Sequence, residues 1–195
     1  RTADLKRSNE DLESFAALWQ AYTSGVLIVA ATGDHSAALP SARQPANVPF
    51  VLGVGGSTWE DRFWDTSVSC MSGTNGSTLG ARQIDVTAPA SGGVVTTFHY
   101  PNPNGFGLYA ATSGQCSAAA ALVTGAAGYL QSYAREQSPL RRYLLPDELA
   151  GILTASARAY RLDPTNGATC PSNLCPREMY GSGVTDLENA RLSLQ

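Results

Sequence analysis

A chain of 195 residues that is 43% apolar and 15% charged has the size and composition of one folded domain and is no candidate for disorder. Its formal charge of −3, without a basic cluster, gives nucleic-acid binding no electrostatic footing. The longest apolar runs, Gly25 to Ala31 and Ala118 to Leu130, fall short of the ~20 residues needed to span a bilayer.

Leu5 to Tyr22 reads as an amphipathic helix, with Leu5, Leu12, Phe15, Leu18 and Trp19 near one face and Ser24-Gly25 closing it. Val26 to Ala31 is an all-apolar run, the pattern of a strand buried on both faces of a parallel sheet. Phe50 to Val54, just after Pro49 and before Gly55-Gly56, is a second such run, and Ile84 to Val86, stopped by Ala88-Pro89, is a third. Val94 to Phe98 is rich in β-formers and is expected to pair near a sheet edge, with His99 in the Tyr/Pro/Asn loop after it. Ser117 to Tyr133 is a helix apolar nearly all round, so burial is expected. Pro146-Asp147-Glu148 opens a helix to about Ala157, and Thr185 to Leu192 is a short last one. Helices alternating with buried strands give an α/β fold with a mainly parallel sheet flanked by helices. No repeat or linker divides residues 1–195.

Four cysteines are present, Cys70, Cys116, Cys170 and Cys175. Cys170-Pro-Ser-Asn-Leu-Cys175 lies in a polar, Pro-rich stretch, where a small-loop disulfide is the expected state; zinc lacks a second Cys/His pair. Asn75-Gly-Ser77 is a glycosylation sequon, and with the disulfide it points to secretion. The opening Arg1-Thr2-Ala3-Asp4 does not read as a signal peptide; a mature or trimmed product would look the same, so this says little about where the protein is made.

Four segments, in order, resemble the subtilisin-like serine proteases. Gly25-Val-Leu-Ile-Val-Ala-Ala-Thr-Gly-Asp34 is similar to the family's buried strand ending Ala-Ala-x-Gly-Asn. Gln44-Pro45-Ala-Asn-Val-Pro49 with Val51-Leu-Gly-Val-Gly-Gly56 resembles Tyr-Pro-Ala-x-x-Pro followed by a strand. Ile84-Asp-Val-Thr-Ala-Pro89 is similar to Asp-Val-x-Ala-Pro-Gly. Ser113-Gly-Gln-Cys-Ser117 with Ala118 to Gly125 resembles the nucleophile segment Ser-Gly-Thr-Ser-x-Ala-x-Pro-x-Val-Ala-Gly, and Tyr180-Gly-Ser-Gly183 with Asn189-Ala190 resembles the family's close.

The resemblance implies the C-terminal half of a peptidase domain acting on peptide or protein substrates, with no membrane or nucleic-acid partner. Ser117 is the implied nucleophile: a serine hydroxyl is weak at neutral pH, and a helix start adds N–H groups and a dipole that favour an oxyanion. Taken alone, such a serine is an ordinary helix cap. Counting back from Gly125 gives Ser117; counting forward from Ser113-Gly114 gives Cys116, the alternative nucleophile. The first count is preferred, because helix packing resists insertion more than a loop does. Asp34 stands where the family has the Asn that donates to the oxyanion, and a carboxylate donates only when protonated. Ala30, Ala31, Thr32, Gly33 and Pro45 are the implied substrate-binding residues, and a cis bond is expected at Gln44-Pro45.

The family's triad order is Asp, His, Ser, which places acid and base upstream, in a segment or partner chain. His35 and His99 match neither position and read as surface residues, as a strand-end Asp34 could also be a turn cap. Two functions stay open: one part of an active serine endopeptidase, or an inactive pseudoprotease domain with a binding or structural role, as Asp34, Gln115, Cys116 and Ala121 would suit. No cofactor is assigned; structural calcium stays open, with Asp61, Asp65 and Asp85 as candidates and solvated surface as the default.

Overall fold

The computed structural model describes residues 2–33, 45–58, 84–90, 95–100, 107–111, 115–137, 142–158 and 181–195, with backbone alone for 2–11, 95–100 and 107–111. Helix α1 (Thr2–Thr23) ends where Gly25 turns to φ +88°. The Gly25 N–H donates to the Tyr22 carbonyl at 2.9 Å and the Val26 N–H to the Ala21 carbonyl at 3.1 Å, a Schellman closure. Val26 is spent on that closure, so β1 starts later, at Ile28, and runs to Ala31.

Strand β1 pairs in parallel with β2 (Val51–Ser57), which pairs in parallel with β3 (Val86–Pro89). The second strand extends past the apolar run through Gly55-Gly56 to Ser57. Gly55 fits because a Cβ there would run into the Ile84 side chain. The third is shifted forward: Ile84 and Asp85 form its approach, and Thr87 is fully buried within it. That buried threonine is satisfied, its N–H and hydroxyl both donating to the Gly183 carbonyl at 2.8 and 3.0 Å. The Thr87 carbonyl in turn accepts the Thr185 N–H and hydroxyl at 2.8 and 3.0 Å. Val184 thus continues the sheet beyond β3, and Arg158 pairs with Val184 on the far side.

A separate antiparallel pair joins β4 (Val95–Tyr100) and β5 (Gly107–Ala111). His99 therefore lies in a strand, not in the loop expected from its Tyr/Pro/Asn neighbours, and β5 had no clear signal of its own.

Helix α2 (Cys116–Gln137) lies against β1, β2 and β3. Cys116, Ala119, Val123, Ala127, Leu130 and Ala134 make its buried stripe. Five of them, from Ala119 on, join Leu52, Val54, Val86 and Ala88 in one core with Leu149 and Leu153 of α3 (Pro146–Ala155) and Ala190 of α4 (Leu187–Leu192). The expectation that this helix is buried all round is corrected. Leu122 and Tyr129 are 41% and 45% exposed, and Ser117, Ala121, Gly125 and Gly128 are exposed beside them. The near-uniform apolar composition hid a two-sided helix, one side on the sheet and one side open.

On the other face of β1, Ala30 packs with Ala46 and Val51, and Phe50 joins them. Phe50 also meets the rings of Phe15, Trp19 and Tyr22, with centroids 5.6, 5.2 and 5.1 Å away. The apolar face expected of α1 exists, yet Leu12, Phe15 and Trp19 on it remain exposed. At its end the Tyr22 hydroxyl donates to the Asp147 carboxylate at 2.8 Å, tying α1 to α3.

Two measurements check this arrangement. Leu130 is fully buried in the shared core, so Leu130→Ala should cost about 3 kcal/mol in denaturant unfolding; a loss below about 1 kcal/mol would contradict its place there. At the start of α3, the Glu148 carboxylate accepts from the Leu145 N–H at 2.8 Å and from both terminal nitrogens of Arg142 at 2.9 Å. Arg142 above all, then the Leu145 N–H, holds that carboxyl down to about 2 from its ordinary 4.5. A carboxyl lowered on folding stabilises above its unfolded pKa, and the gain is lost as pH falls through the folded one. The melting temperature should therefore fall more steeply between pH 4.5 and 2 in the wild type than in Glu148→Gln, by a small amount because the pair is exposed. Parallel slopes would remove the assignment.

Candidate active site

The register of the sheet sets where a site forms. Ala31 pairs with Val54, whereas β2 and β3 stay paired as far as Ser57 and Pro89. The first strand thus leaves the sheet three residues before its neighbour ends, and a step opens at the carboxyl ends, where open parallel α/β sheets hold their ligands.

The residues expected to bind substrate lie along this exit. Ala30 is buried toward the Pro45–Phe50 turn, which brings it together with the segment that carries Pro45. Pro45 is half-buried, and its carbonyl accepts the Val48 N–H at 3.0 Å. Ala31 is half-buried. Thr32 is fully buried, with its N–H and hydroxyl both on the Val54 carbonyl at 3.0 and 3.3 Å. Along this run Ala31 and Gly33 are partly exposed, whereas the Thr32 side chain is closed off. Gly33 takes φ +114°, a conformation that a side chain would strain, and it redirects the chain out of the sheet. Asp34, His35 and the Gln44-Pro45 bond lie outside the described residues, as do Asp61, Asp65, Cys70, Cys170 and Cys175.

Asp85, a calcium candidate in the sequence, is partly buried and engaged with main chain. Its Oδ2 accepts the Gly53 N–H at 2.8 Å, its own N–H donates to the Gly53 carbonyl at 2.9 Å, and its carbonyl accepts the Ser182 N–H at 2.8 Å. The default of a solvated surface residue does not hold for it.

At the start of α2 the two candidate nucleophiles separate. Cys116 is fully buried on the stripe that faces the sheet, whereas Ser117 is exposed at the second position of the helix. The N–H groups of Ala118 and Ala119 turn back onto the Gln115 carbonyl at 2.9 and 3.3 Å. The start of α2 carries the positive end of the helix dipole, and no acid in this first turn offsets it. Ser117 thus sits where an anion would be favoured.

Sequence reasoning did not single out Ser57. It ends β2, and its Oγ is buried without a hydrogen-bond partner, which is costly. The signal available was a hydroxyl at the end of the apolar run Val51 to Gly56.

A parallel sheet with a stepped carboxyl edge, covered by a helix that opens on an exposed serine, defines an α/β protein. The chain belongs to the subtilase family of peptidases, matched over residues 3–183. Among solved structures it is similar to the patellamide maturation protease PatA, with 23% identity and a TM-score of 0.65 over 92% of this chain and 55% of that one. It is also similar to the prenylagaramide maturation protease PagA, with 22% identity and a TM-score of 0.62 over 92% and 54%. A lanthipeptide protease matches with 19% identity and a TM-score of 0.65 over 90% and 53%. These likenesses fix the fold, and the chain spans about half the length of those proteins. No curated protein sequence matches it.

Burial separates the two side chains chemically. In the native protein Cys116 should resist iodoacetamide and react on unfolding, read by mass spectrometry of its peptide. Rapid native alkylation would put the thiol in the site.

Proposed function

We propose that this chain is the part of a subtilisin-like serine endopeptidase that carries the nucleophile and the oxyanion side of the site. An upstream segment or chain supplies the acid and base. The observation that carries the reading is the exposure of Ser117 on the first turn of α2 beside a buried Cys116.

In this reading the base takes the Ser117 proton as its oxygen attacks the scissile carbonyl carbon. The carbonyl oxygen becomes an oxyanion favoured by the positive start of α2 and, when protonated, held by Asp34. The C–N bond then breaks, and the amine leaves with the proton from the base. Water, deprotonated by the same base, releases the acid product and restores Ser117. The peptide lies along the exit of β1, at Ala31 and Gly33, with Ala30 and Pro45 shaping the wall. Secretion suits a sequon and a disulfide between Cys170 and Cys175. A second reading, a pseudoprotease retained for binding, is favoured by Asp34 itself, which would donate only in its protonated form.

A serine-reactive phosphonate decides between them. Labelling should appear when the upstream segment is present, should vanish in Ser117→Ala and should persist in Cys116→Ala. Loss in Cys116→Ala alone would move the nucleophile to the thiol, and no labelling with or without the upstream segment would favour the pseudoprotease.

A further inference from the structure

Thr32 donates twice to one acceptor. Its N–H continues the β1–β2 ladder onto the Val54 carbonyl at 3.0 Å, and its hydroxyl reaches the same oxygen at 3.3 Å. The residue is fully buried, so the hydroxyl is not available to a ligand. Thr87 and Thr185 do the same to the Gly183 and Thr87 carbonyls, at the seam where the C-terminal segment joins β3. Those two threonines lie within that seam. At Thr32 the pairing of β1 stops: the next residue is Gly33 at φ +114°, where the chain leaves the sheet. A glycine in that conformation is a swivel with no side chain to limit it. The last fixed point before the swivel is therefore Thr32, and a strand end held by one N–H alone would fray.

We propose that Thr32 is a positioning residue for the candidate active site, its hydroxyl locking the end of β1 to the Val54 carbonyl so that Gly33 is held in one place at the exit of the sheet. This rests on the proposed function for its effect on turnover, while its effect on the strand end is independent of that function. Residues that must stabilise a developing charge work only when held in place beforehand. The lock therefore acts on turnover more than on substrate affinity.

The test compares Thr32→Val, which keeps the shape and removes the hydroxyl, with Thr32→Ser, which keeps the hydroxyl, in the native gene product. Thr32→Val should lower kcat about tenfold with KM within about twofold, and Thr32→Ser should restore kcat to within about threefold. Hydrogen exchange should be about tenfold faster at the Thr32 and Gly33 amides in Thr32→Val and unchanged at the β1 residues Ile28 to Ala30. Wild-type kcat and exchange in Thr32→Val would overturn the proposal. So would equal losses of kcat, KM and melting temperature that serine fails to rescue, since those describe packing alone. If the wild type itself shows no turnover, the proposed function has failed. Exchange then decides: faster Thr32 and Gly33 amides in the valine variant, reversed by serine, keep the lock, and unchanged amides remove it.

Discussion

Strands that are apolar on both faces have to be covered on both, and in this chain that requirement organises most of the molecule. Helix α2 covers one face of β1, β2 and β3 with its six-residue stripe from Cys116 to Ala134. The cover comes with a phase. Once Ala119, Val123, Ala127 and Leu130 point at the sheet, helical periodicity places Cys116 inward and Ser117 outward. The chemical identity of the exposed group at the helix start is thus a consequence of core packing. Shifting the stripe by one residue would bury a hydroxyl and present a thiol.

The second cover is thinner. On the opposite face Ala30, Ala46 and Val51 form a small cluster capped by Phe50, and α1 reaches it through ring contacts with that one phenylalanine. Between the two covers the sheet is stitched by main chain and by small polar side chains. Asp85 holds Gly53 and Ser182, and three threonines each give two donors to one carbonyl. Among the described residues, Arg142–Glu148 and Arg191–Glu188 pair on the helices, where water screens them and they add little, while Arg158–Asp186 lies beside the Val184 bridge.

Much of this was legible in the sequence. Gly25 and Pro146 mark helix ends for reasons of backbone geometry, and the structure puts an end and a start there. Each of the three apolar runs leads into a strand of the parallel sheet, the third only through Val86, and the ordered motifs name the family that the match over residues 3–183 supports. What was not legible has particular causes. Strand β3 includes Thr87 and Pro89 because Gly183, far along the chain, satisfies the threonine, and no local pattern reports a distant carbonyl. Strand β5, Gly-Leu-Tyr-Ala-Ala, is short and alanine-rich, so its propensity is weak. The exposure of α2 was missed because small residues carry no polar label. The choice between Cys116 and Ser117 was in fact readable by another route: stepping back from Leu130 and Val123 at helical spacing lands on position 116 as an inward one. Motif counting left open what periodicity decides. Asp34 is a different matter, since its chemistry turns on a proton and no pattern of residues records one.

The bond from Thr87 to Gly183 joins positions 96 apart, and its neighbour from Thr185 to Thr87 joins positions 98 apart. A chain made from its N-terminus therefore has β1, β2 and β3 long before the segment that completes the sheet. Until then the outer edge of β3 is an unpaired row of donors and acceptors, a template for any other strand. Closing so large a loop is slow relative to forming α2 or α3. The interval between synthesis of Thr87 and arrival of Val184 is thus a window in which this edge of the sheet is open to mispairing.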